Sequence, residues 1–423
     1  MLPPALADRL APVTPHRHFS SRHLLATVSL ALLALSGCRR HGFPDVPDGY
    51  REYAYISNGG SNTVTVLDLV TVRPDRTLQV GQNPSGLAVN PRLNEVYVVN
   101  THPAAQSGSV SVIDANTNRV AATIPVHRLP YMIAVDPTGH RAYVPNSGSN
   151  TVSVLDLDSR SQIAEAGTGE QPGVARVSPD NRTLVVTNRG GNSVSLFAIA
   201  PEDAPPETPA LRLRAAFSGC PGATDAVILP DSSKAFIACS SGHQVMAVSL
   251  AAAPGSWPAR QNPSALSDHM LTLLDVGLTP VHLSLKPDGG EIFVSNFGSD
   301  SISEIDTWNN QVGGTYTVVS KPVSGVVSAD NSNLWVSNFS ADSVSLYSID
   351  DGRIVNSIHT GSQPDAIAFS ADEHLLLVAD ARSGDVAVIR TQSKDGPALF
   401  TMLPAGKTPN AIATKVIHAE KKK

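Results

Sequence analysis

Apolar and polar positions alternate in short runs along most of the chain. The stretches "YISNGGSNTVTVLDL" (55–69), "YVPNSGSNTVSVLDL" (143–157), "LVVTNRGGNSVSLFAI" (184–199) and "FVSNFGSDSISEID" (293–306) share one layout. A run rich in Val, Ile, Thr and Tyr ends at Asn. A cluster of Gly, Ser, Asn or Asp follows, and a second alternating run begins. Period-two alternation of β-branched and aromatic residues is strand chemistry, and a small polar cluster is a turn. Each stretch therefore predicts strand, turn, strand.

The layout recurs through two markers. The strand ending in Asn closes at Asn58, Asn100, Asn146, Asn188, Asn296 and Asn338, with Cys239 and Asp380 as stand-ins. A Pro-led apolar strand begins at 84, 130, 172, 280, 322, 364 and 409, and "ATDAVILP" at 223 is an eighth copy without the leading Pro. The commonest spacing is 42 residues, as from Asn58 to Asn100 or from Asn296 to Asn338. One unit reads as a Pro-led strand A, a turn, strand B ending in Asn, a small-residue turn, strand C, and a strand D such as "VAATIPV" (120–126).

A four-stranded unit of that length is a β-propeller blade. The signature resembles the YVTN family of propeller repeats over nearly all of residues 50–418. The resemblance implies an all-β propeller of four-stranded antiparallel blades and is not specific for activity. The first marked strand, at 55–58, has no strand A before it, and the last Pro-led strand, 409–416, has nothing after it. Pairing the two completes one blade and removes the exposed sheet edges. Eight blades are expected; seven follow if the divergent copy at 223–250 is an insertion. A blade in a ring packs both faces on its neighbours, so no copy is stable alone and the chain must repeat itself.

Composition narrows the function classes. Hydrophobic residues make up 41% of the chain and charged ones 16%, enough apolar surface for a core and too little charge for a disordered polyelectrolyte. The net charge is −6, and the short basic run is the tail at 421–423, so no nucleic-acid partner is expected. The amino terminus carries Arg9, Arg17 and Arg22, then the apolar run "LLATVSLALLAL" (24–35), then "LSGC". The run has the length of a signal-peptide core and is short for a membrane span. Small residues before Cys38 resemble a bacterial lipobox. That resemblance implies cleavage after residue 37 and lipidation of Cys38. The expected organisation is a signal peptide (1–37), a lipidated tether (38–49), one propeller (50–418) and a basic tail (419–423). The anchor places the protein on a cell-envelope membrane, the outer one favoured by Arg39, as a monomeric propeller.

Positions where the copies differ are candidates for function. Cys239 stands where Asn ends strand B, and Cys220 precedes strand A of the same blade, at the same end of the sheet. In an oxidising compartment these two are expected to bridge. Residues 200–210 and 251–268 are Pro- and Ala-rich insertions between strands C and D of neighbouring blades, with Trp257 a candidate docking anchor. The innermost strands carry Tyr131, Arg176, Asp225, His282, Asp365 and Asn410 at non-repeating places, and His127, Arg128 and Lys321 belong to the same zone. They converge at the channel mouth either as a ligand site or as a solvated polar channel with internal ion pairs such as Arg176–Asp225.

Three functions fit. The first is a non-catalytic binding scaffold presenting a face to an envelope protein or glycan, with no cofactor. The second is a hydrolase resembling propeller lactonases, with His282 as base beside Asp225 and Arg176; no GxSxG, HExxH or clustered metal-ligand set supports it. The third is a haem or quinone cofactor site resembling eight-bladed nitrite reductases, with His282 as the axial candidate.

Overall fold

The computed structural model describes residues 46–102, 106–251 and 267–417. Thirty-two strands form eight four-stranded antiparallel sheets, one per blade. The copy at 223–250 is a full blade, with strands Ala223–Ile228, Lys234–Cys239, Gln244–Ser249 and His269–Asp275. The ring closes as the repeats predict. Strand Pro409–Val416 pairs antiparallel with Glu52–Asn58, and that blade continues outward through Thr63–Asp68 and Arg73–Gln79. Counting this closing blade as the first, the one at 223–275 is the fifth.

The apolar runs of strands B and C form cores between blades rather than within them. Tyr97, Val99 and Val110 of the second blade pack with Ala142, Val144 and Leu155 of the third. Val185, Val194 and Leu196 of the fourth pack with Ala226, Ile237 and Met246 of the fifth. Each apolar face is thus covered by the next copy, which is the physical content of the repetition.

The Asn that ends strand B has a structural task. Its side-chain amide donates to two hydroxyls of strand C, five and seven residues on in most copies, as Asn338 to Ser343 (3.3 Å) and Ser345 (2.8 Å), and nine and eleven on in the second blade, where the turn is longer: Asn100 to Ser109 (3.1 Å) and Ser111 (2.9 Å). The same bracket holds Asn58, Asn146, Asn188 and Asn296. The facing glycine of the loop before strand A is obligatory: a Cβ on Gly81 would fall 2.6 Å from the Asn100 side chain.

The fifth blade replaces the bracket by a disulfide. Cys220 and Cys239 are bonded, with Cα atoms 4.8 Å apart and a sequence separation of 19. Both are fully buried. Closing a loop of that length stabilises by about 3 kcal/mol through the unfolded state. Denaturant titration with and without reductant is expected to show that loss; equal midpoints would remove the bridge from the stability of the ring.

One expected strand is shorter than the pattern suggests. "PYMIAVDP" should form strand A of the third blade, but only Ala134–Val135 ladders there, with a lone bridge from Pro130 to Asn146. The cause is Pro145 in strand B. The Tyr131 N–H reaches the Pro145 carbonyl at 3.3 Å, but Pro145 has no N–H to return the bond. This frees the segment that carries Tyr131.

Candidate functional site

The innermost strands of neighbouring blades lie side by side, so residues far apart in sequence meet there. Asp225 is the centre of one cluster and is 3% exposed. Arg176, from strand Pro172–Val177, donates from Nη2 to Asp225 Oδ1 at 2.9 Å and from Nε to the Ala226 carbonyl at 2.9 Å. His282, from strand Pro280–Leu285, places Nδ1 3.0 Å from Asp225 Oδ2. The N–H groups of Ala226 and Leu283 donate to the same carboxylate at 2.8 and 3.1 Å. Burial alone would raise the Asp225 carboxyl, but the Arg176 charge and the His282 and Leu283 bonds overcome it and hold it at about 2. The cluster ties together the fourth, fifth and sixth blades.

His282 is fully occupied. Its Nε2 lies 3.1 Å from the Gly325 carbonyl of the seventh blade. Both ring nitrogens face acceptors, so the ring bonds to both only as a donor at each. It has no free lone pair with which to take a proton. The structure therefore assigns the His282 ring to bracing the sixth blade against the fifth and the seventh, and the base is sought elsewhere.

Asp365 is different. It is the second residue of strand Pro364–Phe369, and its carboxyl has no hydrogen-bond or ion-pair partner among the described residues. Burial pushes it up to about 6, against a lowering pull from the His282 charge. Tyr131 is 51% exposed, yet burial, then the Asp365 charge, raise its hydroxyl, while Arg189 pulls it down. A side chain that is wet at its surface and still desolvated stands in a protein-walled channel. The Asp365 and Arg189 charges thus reach Tyr131 at the mouth, and the His282 charge reaches Asp365.

The other expected residues divide. Asn410 belongs to the closure: Nδ2 donates to the Pro84 carbonyl at 3.0 Å and Oδ1 accepts from Ser57 at 2.6 Å. His127 lies at the end of the outermost strand Arg119–Arg128, paired with Glu165 and away from the channel. Arg128 donates to the Gly148 carbonyl at 2.7 Å. Lys321 stands at the mouth, its Nζ 5.1 Å from the Phe297 ring centroid, and Phe297 is 6.4 Å from Phe339. Phe297, Phe339 and Arg189 each follow the strand-B Asn, where other copies carry small residues. That shared offset was the signal by which they could have been found.

The insertion at 200–210 falls between strands Ser193–Ile199 and Leu211–Ser218, as expected. It closes on itself through the Ala200–Ala210 backbone bond and forms, with Arg141 and Ile163, a cleft of about 410 Å³. Cys38, the tether as far as residue 45, and Trp257 lie outside the described residues. Trp308, 90% exposed, stands on a C–D turn, as the insertion at 200–210 does in the fourth blade.

A family described as "Lactonase, 7-bladed beta-propeller" matches residues 323–404, which are most of the seventh and eighth blades and contain Asp365. No curated protein matches the chain. Among solved structures, the chain resembles the dihydro-heme d1 dehydrogenase NirN in complex with DHE, with 16% identity, TM-score 0.68, and coverage of 88% of this chain and 77% of that one. It also resembles the periplasmic gluconolactonase PpgL of Pseudomonas aeruginosa, at 18% identity and TM-score 0.55 over 86% and 98% of the two chains. A third is the hydrazine synthase of Kuenenia stuttgartiensis, at 20% identity and TM-score 0.51 over 80% and 92%. At these identities the likeness is one of fold, and the described chain is an all-β propeller of eight blades whose residues 323–404 are similar to that lactonase family.

Proposed function

We propose that this propeller is a lactone hydrolase working at the channel mouth, with Asp365 as general base. The observation that carries the reading is the unpartnered, desolvated Asp365 carboxyl, pushed up to about 6, in the segment matched by the lactonase family. A base is most effective when its pKa lies near the working pH. Asp365 takes a proton from water as that water attacks the lactone carbonyl carbon. The Tyr131 hydroxyl, raised and therefore protonated, donates to the oxygen that gains charge. The ring C–O bond then breaks, and the leaving alkoxide takes up the proton from Asp365. Arg189 and the His282 brace supply positive charge toward the carboxylate product. The scaffold reading has no comparable support, since the matched family carries an activity. The haem reading does not fit His282, because an axial ligand needs a free lone pair and both ring nitrogens are engaged.

The test is hydrolysis of glucono-δ-lactone and related lactones by the purified protein and by Asp365→Asn. The variant is expected to lose about 10²–10⁴-fold in kcat while unfolding at no lower temperature, because it removes a carboxyl that burial disfavours. Activity of the native protein is expected to fall as pH drops below about 6, where Asp365 gains its proton. Lactone binding by calorimetry without turnover at any pH would sink the hydrolase and leave a binding module.

A further inference from the structure

We propose that the eighth blade is latched by a proton shared between Asp380 and Asp385, so that this blade is the pH-sensitive segment of the ring. The inference is independent of the channel chemistry. It starts from the bracket that closes strand B on strand C. In six blades an Asn amide donates to two hydroxyls of strand C, five and seven residues on in five of them and nine and eleven on in the second. In the eighth blade Asp380 replaces the Asn, Asp385 replaces the first hydroxyl, and Ala387 replaces the second. Asp380 and Asp385 are register partners on strands Leu375–Asp380 and Asp385–Arg390.

Asp380 is fully buried, and neither carboxyl oxygen has a well-formed hydrogen bond. The Gly361 N–H and the Thr360 hydroxyl lean toward it, while Asp385 faces it as a like charge. Two ionised carboxylates cannot stand there. An amide N–H pointing at a hydroxyl is replaced at the same place by a carboxyl O–H pointing at a carboxylate. The site has room for a proton and little more: a Cβ on Gly361 would lie 2.4 Å from Ser383 Oγ, 2.5 Å from Asp385 Oδ1 and 2.8 Å from Asp380 Cβ. Ser383 donates to Asp385 Oδ1 at 2.9 Å, which steers the carboxylate charge onto that partner. The packed elements also carry His359, Asp342, Asp365, Arg382 and Lys407, but the charge acting on Asp380 is that of Asp385. Asp342 is held by the Gln363 N–H at 2.9 Å.

Burial, then Asp385, push Asp380 up to about 7. A carboxyl raised in the folded state binds its proton more tightly there than in the unfolded chain. Its contribution to stability is therefore full below about pH 4 and declines as pH rises to about 7, where the latch opens and the proton passes to solvent.

The experiment compares thermal unfolding of the native protein, Asp380→Asn and Asp385→Ser between about pH 5 and about pH 9. Asn is what six other blades carry, so that variant keeps the fold. Its unfolding temperature is expected to pull ahead of the native protein's by several degrees as pH rises, with the gain nearly complete by about pH 7 and level above it. Asp385→Ser removes the like charge and should show a weaker version of the same divergence. Taking differences between variants cancels Asp365, which titrates in the same direction. An infrared carboxylic-acid band at about pH 6, absent from Asp380→Asn, would report the proton directly. A constant difference across the range would overturn the proposal. So would stabilisation of the native protein by Ca²⁺ or Mg²⁺ that Asp380→Asn abolishes, since the pair would then hold a metal ion.

Discussion

Asp225→Ala is expected to destabilise the ring by about 3–5 kcal/mol, because it leaves the Arg176 guanidinium and the His282 ring facing a void without their counter-charge. Asp225 is nearly inaccessible and accepts from the Arg176 guanidinium and two backbone N–H groups, with the His282 Nδ1 3.0 Å from its second oxygen. Removing one partner of such a set costs far more than the set contributes over an apolar core. The triple variant Arg176→Met, Asp225→Leu, His282→Leu is therefore expected to lie within about 1–2 kcal/mol of the native protein. Asp225→Asn falls between, since its amide would turn donors toward donors. The native protein carries an acid signature of the same network. The Asp225 carboxyl is lowered in the folded state to about 2, so it contributes stability that is fully present above about pH 4. That contribution is lost as pH falls through 2. Chemical denaturation of the three variants at neutral pH, and of the native protein down the acid limb, checks both statements. A cost under about 1 kcal/mol for Asp225→Ala would mean that the cluster is solvated and not the brace described.

The architecture was legible because the markers that repeat are the ones that build blades. The Pro that starts strand A, the Asn that ends strand B and the alternation of "TVSVLDL" each answer a local requirement, so each recurs. The unmatched strands at 55–58 and 409–416 gave the closure by subtraction, and Cys239 in an Asn position gave the disulfide. The Arg176–Asp225 pair was also readable, as opposite charges on neighbouring inner strands. The site was less legible. Each residue of the mouth is one departure in its own copy, so no linear motif exists to be found. His282 looked like a base until its second nitrogen was seen to meet the Gly325 carbonyl, a contact that depends on the spacing between two blades. Asp365 looked like one polar position among several. Its distinction is a lack of partners, which a sequence does not display. Pro145 was in plain view, but its effect on the Tyr131 segment follows only from the register between strands A and B. Asp380 was read as a stand-in for Asn, and its meaning required knowing what the Asn does.

Removing residues 409–417 is expected to abolish cooperative folding. The strand Pro409–Val416 pairs along the full length of Glu52–Asn58 and so joins the two ends of the chain in one sheet. It also fastens the neighbours on both sides. The Thr414 hydroxyl donates to the Phe369 carbonyl of the eighth blade at 3.0 Å, and Asn410 and Lys415 donate to the Pro84 and Asn90 carbonyls of the second at 3.0 and 2.6 Å. Lys415 is buried with a carbonyl for a partner, and burial lowers its ammonium, so the bond to the Asn90 carbonyl offsets part of a desolvation cost that the closed ring imposes. Without this strand the first blade presents an unpaired inner edge, and the inter-blade core around Tyr55, Val64 and Val96 loses Ile417. A domain holds only about 5–15 kcal/mol in all, and a break in a closed ring touches three blades at once. The truncated chain should unfold over a broad temperature range and aggregate through the open edge. A synthetic peptide spanning 405–418, added in trans, should restore a sharp transition by strand addition. A truncated chain that melts as sharply and as high as the full one would show that closure is ornamental, and that each pair of neighbouring blades is already stable by itself.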